Sequence, residues 1–336
     1  GSTGSIGKSL LSILNSEKKK FDILLLTANK SYLSLLQQAK KFNVKNLIIT
    51  DIDCYNLAKK ANKNPKIKIY NNFNNLNKIF FKKIDYTMSS ITGLEGLEPT
   101  IKLIKHTKKI AIANKESIIC GWKFIKKELD RCKTNFIPVD SEHFSLWYGL
   151  NHKNHNFVEK IYLTASGGPF HKLNINKLNK VTISQALKHP NWKMGKKITI
   201  DSATLINKVY EVIEAKNIFN LNYKNINILI HPKSYIHALL KFNNGLIKIV
   251  AHETTMKIPI FNTLFHGSDK KFHTKDIDIK TLNNLNFKKV DVKKYPMVKL
   301  LKYLPIKSSL YETIIVSAND TLVELFLEKQ IKYTDI

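Results

Sequence analysis

The stretch GSTGSIGKS, Gly1 to Ser9, is either a dinucleotide-binding turn or a near miss of a nucleoside-triphosphate P-loop, and the fold follows from which it is. Both loops aim backbone N–H groups and the positive end of a helix dipole at a phosphate, so phosphate binding alone does not separate them. Spacing does more. A P-loop needs a glycine five residues before Gly7, where φ > 0 lets the backbone wrap the phosphates, and Ser2 stands there. In the pattern G-x-x-G-x-x-G, Gly1, Gly4 and Gly7 supply a tight turn, close approach to a pyrophosphate and helix-to-strand packing, and KSLLSILN continues as a helix. A strand should precede this motif and none does, so the sequence reads as cut at its N-terminus. The next apolar run, FDILLLTANKS, ends at Ala28-Asn29-Lys30-Ser31. There, about 20 residues after the glycines, an NAD enzyme places an acid on the ribose; a lysine suits a 2'-phosphate and favours NADP. Taken alone, a Gly-Ser turn beside a surface lysine stays equally open.

At 336 residues, 43% of them hydrophobic, the chain is long enough for two or three domains. No apolar run approaches the roughly 20 residues of a membrane span and no signal peptide is visible, which sets a soluble, intracellular expectation without a membrane partner. Cys54, Cys120 and Cys132 are odd in number and lack C-x-x-C spacing, against a disulfide framework or a zinc site. The net charge of +29 suggests nucleic acid, but Arg131 is the only arginine, and readers of bases and phosphates lean on arginine's bidentate fork. The lysines lie among asparagine and isoleucine, a codon-bias pattern, and their field attracts anionic substrates rather than nucleic acid.

Up to about residue 140 apolar runs (FDILLL, NLIIT, IDYTMSS, KIAIAN, NFIPVD) alternate with amphipathic helical stretches, which predicts an α/β, Rossmann-like, doubly wound nucleotide domain over 1–140. Over 141–265 the runs VEKIYLTASGG, ITIDSAT, INILIHP and GLIKIVAHE read as strands of a second α/β domain, with INKVYEVIEAKNIF as a helix. A linker over 266–291 and the start of a helical C-terminal domain over 292–336 complete the expected division, and the C-terminus also reads as cut.

Asp140 and Glu142 in FIPVDSEH close an apolar run, where ligands sit in open α/β sheets. In an extended chain, i and i+2 share a face, and two such carboxylates stay ionised together around a cation such as magnesium or manganese. A solvated acidic turn stays open for this pair. In LTASGGPF, Ser166 follows a strand with two flexible glycines, suited to a phosphate or a plain turn. DSATLINK offers Asp201, Ser202, Asn207 and Lys208, and Glu211 shares the helix face of Asn207. An N-capped amphipathic helix is compatible with this. KHPNWKMG, broken by Pro190 and Gly195, carries His189, Asn191, Trp192 and Met194, either as a lid over a ligand or as a loop anchored by Trp192. His231 and His237 flank HPKSYIH.

In order and spacing, GSTGSIG, ANKES, PVDSEH, SGGPF, HPNWxMG, DSATxxNK, IEA and LIHPxSxIH resemble the 1-deoxy-D-xylulose 5-phosphate reductoisomerase family over essentially the whole chain. The resemblance implies an NADPH-dependent, metal-dependent homodimeric enzyme of non-mevalonate isoprenoid synthesis. Its location would be the bacterial cytoplasm, with a plastid-type organelle also open. Its substrate is a phosphorylated sugar, rearranged and then reduced. Carried over by position, Thr3, Gly4, Ser5, Ile6, Asn29, Lys30, Ser31, Asn114, Glu116 and Gly195 surround NADPH. Asp140, Glu142 and Glu211 become ligands of Mg²⁺ or Mn²⁺, with Co²⁺ a further ion. Lys115, Ser141, Glu142, Ser166, His189, Trp192, Met194, Ser202, Asn207, Lys208, Glu211 and His237 hold the substrate, its phosphate among Ser166, Ser202, Asn207 and Lys208. Lys115, Glu142 and His189 are the implied catalytic residues. The sequence departs from the family where Val209 replaces a glycine in NKGLE, for which local repacking is expected. Asn29 stands for a ribose-turn glycine, as asparagine tolerates φ > 0. Two rivals are an ATPase using Gly7-Lys8-Ser9 with Asp51 for magnesium, and a basic nucleic-acid-binding protein.

Overall fold

The computed structural model describes residues 1–17, 20–150, 157–192, 194–307 and 309–336. They form two compact units: Gly1–Ser117 with Lys123–Val139 and Pro259–Lys270, and Ile118–Trp122 with Asp140–Ile258 and Lys271–Ile336.

The first unit alternates helix and strand: α1 (Ser5–Asn15), β1 (Leu25–Ala28), α2 (Tyr32–Phe42), β2 (Asn46–Ile49), α3 (Ile52–Ala61), β3 (Lys68–Tyr70), α4 (Leu76–Ile79), β4 (Ile84–Ser89), α5 (Leu97–Ile104), β5 (Thr107–Ile112), α6 (Lys115–Cys132) and β6 (Asn135–Pro138). β1, β2 and β3 pair in parallel in that spatial order, and so do β4, β5 and β6. Continuous apolar runs such as Leu47-Ile48-Ile49 are fully buried, as a parallel strand covered on both faces requires. Leu11 and Leu14 of α1, Leu35 and Ala39 of α2, and Ala58 of α3 close over Leu26, Ala28, Leu47 and Ile49.

Pro259–Lys270 belongs to this unit, whereas sequence reading divided it between the second domain and the linker. Side-chain contacts bring it back: Phe265 meets Phe21 edge-on at 5.7 Å, the Thr263 and Tyr86 hydroxyls are 2.9 Å apart, and Lys270 donates to Glu17 at 2.7 Å.

The second unit contains α7 (Ser141–Leu150), β7 (Val158–Ala165), α8 (Ile183–Ala186), α9 (Lys196–Thr204), α10 (Ile206–Phe219), β8 (Ile226–Ile230), β9 (Ile236–Phe242) and β10 (Ile247–Ala251). After α11 (Lys257–Phe265), most of which lies in the first unit, come α12 (Ile279–Asn283), β11 (Lys288–Lys289) and α13 (Tyr311–Leu327). Its sheet runs β10-β9-β7-β8-β11, with only β7 and β8 parallel. Leu146 and Leu150 of α7 and Val212, Ala215 and Phe219 of α10 pack against Ile161, Leu163, Ala238 and Leu240 of the sheet. At about 1.5–3 kcal/mol for each buried aliphatic side chain, this face fixes both helices and hence the residues at their N-terminal ends.

ITIDSAT, expected as a strand, is instead the body of α9. Ile200 and Ala203, one turn apart, pack on Val323 and Phe326 of α13, so tertiary burial overrides a β-branched composition. The expected linker over 266–291 contains α12 and β11, and β11 extends the sheet by pairing with β8. The helical segment after 292 packs within the second unit: Val316 of α13 lies with Val209 and Ile213 of α10.

Candidate active site

In the first unit Gly4 caps α1 with no side-chain hydrogen bond and no acid in the first turn, so the opening N–H groups keep the polarity an anion requires. The glycine motif is steric: a Cβ on Gly1 would stand 2.2 Å from the Ser90 carbonyl oxygen, and one on Gly7 2.5 Å from Gly1. Ser2 N–H donates to Thr27 of β1 at 2.9 Å, which lays Thr3, Gly4, Ser5 and Ile6 beside the end of that strand. Asn29 there donates to Thr50 at 2.8 Å, and Lys30 and Ser31 are exposed. Asp51, the acid of the ATPase reading, accepts from Cys54 N–H at 2.9 Å as the N-cap of α3. That backbone bond is the main cause of its lowered pKa. Asn114 caps α6 through Ser117 N–H and donates to Gly93 O at 2.7 Å, which fixes the start of α6, where Lys115 is buried and Glu116 half-buried.

In the second unit the N-terminal ends of α7 and α10 meet. One oxygen from each of Asp140, Glu142 and Glu211 lies within 4.8 Å of the others. Asp140 and Glu142 do converge, but not along an extended chain: Asp140 precedes helix α7, whose first turn holds Glu142, and Glu142 N–H donates to Asp140 Oδ1 at 3.2 Å. Lys208, 4% exposed, donates to Glu142 Oε1 at 2.7 Å and to Glu211 Oε2. Burial alone would lower the Lys208 pKa, but the two carboxylates reverse this and hold it above its ordinary value. Ser141 donates to Glu142 and Asn207 to Glu211, so both carboxylates are oriented. Three carboxylates and one ammonium leave a formal charge of −2, the complement of one divalent cation, and an all-oxygen donor set suits a hard ion. The donor set therefore fits the metal expected from sequence. Val209 points the other way, into a core with Ile119, Ile206 and Val316, so replacing glycine there leaves the Asn207-Lys208-Glu211 face intact.

Gly167 (φ 80) and Gly168 (φ 67) turn the chain after β7, and a Cβ on Gly168 would meet Ser202 O at 2.8 Å, so this turn packs directly on α9. Leu205, at φ 66, then breaks α9 from α10 and starts the helix that carries Asn207 and Lys208. His189 Nδ1 accepts from the N–H groups of Asn191 (3.1 Å) and Trp192 (2.9 Å). Its proton therefore sits on Nε2, which donates to Ser166 Oγ at 3.0 Å. Gly168 N–H donates to the same oxygen at 3.0 Å, leaving the Ser166 hydroxyl hydrogen to serve as a donor. Burial lowers the His189 pKa to about 4, so it is neutral at pH 7. Asn191 ties its loop to Pro232 O (2.6 Å) and Ser234 Oγ (2.8 Å), and half-buried Trp192 lies edge-on to His237 at 6.3 Å. Met194 is half-buried, Gly195 caps α9, and Lys193 between them lies outside the described residues.

Three residues without a role in the sequence motifs join this region. His143, fully buried, meets Glu211 O through Nε2 at 2.8 Å, while Nδ1 lies 3.4 Å from Asp140 and 3.8 Å from Glu214. His252 stacks on His237 with centroids 3.8 Å apart. His143 and Glu214 were within reach, since they stand inside PVDSEH and IEA. His252 follows β10 with no pattern around it.

A phosphate-ready dinucleotide turn in one unit and a carboxylate cluster beside anion donors in the other define the class: a dinucleotide-dependent oxidoreductase with a divalent-metal centre. The family model for 1-deoxy-D-xylulose 5-phosphate reductoisomerase matches residues 1–121, and two models for its C-terminal domains match 136–219 and 252–336. The reductoisomerase of Pelagibacter ubique is 60% identical over 338 residues, covering 100% of this chain and 87% of that protein. The Clostridium kluyveri enzyme is 38% identical, covering 100% and 88%. A solved reductoisomerase from Zymomonas mobilis in complex with NADPH is 31% identical with a TM-score of 0.89, covering 100% of this chain and 87% of that one. Another, in complex with NADPH, fosmidomycin and magnesium, is 29% identical with a TM-score of 0.90, covering 100% and 85%. The chain belongs to the 1-deoxy-D-xylulose 5-phosphate reductoisomerase family. Its reaction is the metal-dependent rearrangement and NADPH-dependent reduction of 1-deoxy-D-xylulose 5-phosphate to 2-C-methyl-D-erythritol 4-phosphate.

Proposed function

We propose that Asp140, Glu142 and Glu211 hold one Mg²⁺ or Mn²⁺, and the observation that carries this is their convergence within 4.8 Å. When bound, the ion supplies Lewis-acid polarisation of the substrate's ketone. Ser166, Ser202, Asn207 and Lys208 bind the phosphate. His189 stays neutral and holds Ser166 with its hydrogen toward that anion; it is a positioning group here rather than an acid or base. Ser141 keeps Glu142 oriented. Trp192, Met194 and His237 line the substrate and exclude water, which strengthens the surrounding electrostatic contacts. In the other unit, Thr3, Gly4, Ser5 and Ile6 present N–H groups to the pyrophosphate of NADPH, Lys30 and Ser31 take its 2'-phosphate, and Asn29, Asn114 and Glu116 complete its surroundings.

The chain also functions as a homodimer in the bacterial cytoplasm on this reading. The exposed apolar edge strand β10 supports the first part. No helix among the described residues is long and apolar enough to cross a membrane.

The test is NADPH oxidation with 1-deoxy-D-xylulose 5-phosphate and magnesium, run beside Glu211→Gln. That substitution keeps volume and removes one ligand charge. Turnover should fall by orders of magnitude, with partial recovery at high Mn²⁺, while NADPH affinity is unchanged. Near-normal turnover at low magnesium would remove Glu211 from the metal site.

A further inference from the structure

β9 and β10 pair in register from Lys241↔Ile247 to Ala238↔Val250, and the next pair is Ile236↔Ala251. His237 is therefore the extra residue of a β-bulge, a device that re-aims a side chain. Just beyond, His252 N–H donates to Tyr235 O at 3.0 Å, and its ring lies on that of His237 with 3.8 Å between centroids and 18° between planes. The partners fix both tautomers, because a carbonyl oxygen only accepts. His237 Nε2–H donates to His252 O (3.3 Å), and His252 Nδ1–H donates to Glu253 O (2.8 Å).

His252 Nε2 is thus a lone-pair acceptor. It is buried and has no hydrogen-bond partner among the described residues. Buried polar atoms are normally satisfied, so one left open in a built arrangement calls for an occupant. The surroundings locate it. Phe144 of α7 meets His252 edge-on at 6.5 Å, and Trp192 meets His237. The Glu142 charge acts on His252, and the charges of Lys208 and Asp140 act on His237. Phe144 stands two residues after Glu142 in α7, so its contact with His252 sets the stacked pair against the helix end that carries Glu142.

We infer that His252 Nε2 is a further ligand contact of this site, accepting a hydrogen bond from an O–H group of the sugar phosphate held at Asp140, Glu142 and Glu211. It rests on the metal-site reading above. A water on the bound cation offers the same O–H chemistry, and the two sources separate experimentally. Protein labelled with ¹⁵N in the histidine rings is compared alone, with Mg²⁺, and with Mg²⁺ plus 1-deoxy-D-xylulose 5-phosphate; the His252 signal is assigned by its loss in His252→Gln. An Nε2 resonance that moves upfield only when substrate is added gives the expected contact. Movement with Mg²⁺ alone assigns the donor to the cation's water and overturns the substrate contact. No movement in either arm overturns the inference altogether.

Kinetics give the second readout. His252→Phe keeps a flat ring on His237 and removes the acceptor, so the KM for substrate should rise about fivefold, the worth of one neutral hydrogen bond. NADPH affinity should not change, and His252→Gln, which retains an acceptor oxygen, should recover part of the loss. Unchanged KM and kcat in His252→Phe would make the ring a packing element only. Wild-type turnover in the same assay tests the metal-site reading separately.

Discussion

At the residue scale, His189 shows how neighbours decide a role that residue type leaves open. A histidine beside a serine invites a nucleophile-and-base reading, but two backbone N–H groups already fill its Nδ1. Protonation would set a proton against both donors, which agrees with the lowered pKa of about 4, caused by burial. The unfolded chain takes up this proton near pH 6.5, the folded one near 4. Unfolding therefore binds the extra proton between those values. The His189 contribution to stability is present above pH 6.5, falls as pH drops from 6.5 to about 4, and is flat below. Thermal melts of wild type and His189→Gln across pH 4–7 should show the smaller slope in the variant; parallel curves would mean that His189 titrates normally.

At the scale of elements, the proposed cofactor discrimination sits at the turn from β1 into α2. Lys30 is exposed at that turn, where it also contributes to the field on Asp51. Lys30→Glu should raise the KM for NADPH far more than that for NADH, by roughly tenfold or more, since a charge-assisted hydrogen bond is worth about 1.5–3 kcal/mol. Equal changes would exclude Lys30 from the 2'-phosphate. The parallel strands of this unit were legible because strands buried on both faces read as unbroken apolar runs, and Gly1 and Gly7 because backbone contact forbids a Cβ. ITIDSAT was misread because the packing that makes it a helix comes from α13, more than a hundred residues away. Asp140 and Glu142 were found for the wrong geometry: the loop-to-helix turn at Ser141, not strand alternation, brings them together. His143 and Glu214 stand inside PVDSEH and IEA and were readable there, whereas His252 depends on where the end of β10 meets β9, which no local pattern encodes.

At the scale of the whole molecule, the second unit leaves a sheet edge open. β10 pairs with β9 on one side, and Leu246 (66%), Ile247 (62%) and Ile249 (53%) are exposed, with Phe157 and Tyr148 also exposed. A lone exposed leucine needs no explanation, but an apolar edge strand with unpaired backbone groups invites further pairing unless it is covered. A second copy can cover it by presenting the same strand, since a two-fold interface uses one patch twice. The homodimer proposal can be tested there. Ile249→Lys places a charge at the edge, the device by which natural sheets block pairing, and across a two-fold axis it also sets like charges near each other. Sedimentation should shift toward the monomer, with little change in the melting temperature of the chain, because the side chain is already half in water. The β9–β10 hairpin also carries His237 and leads into His252, so the dissociated form should lose turnover while its NADPH affinity is kept. A variant that stays dimeric and fully active would place the interface away from β10.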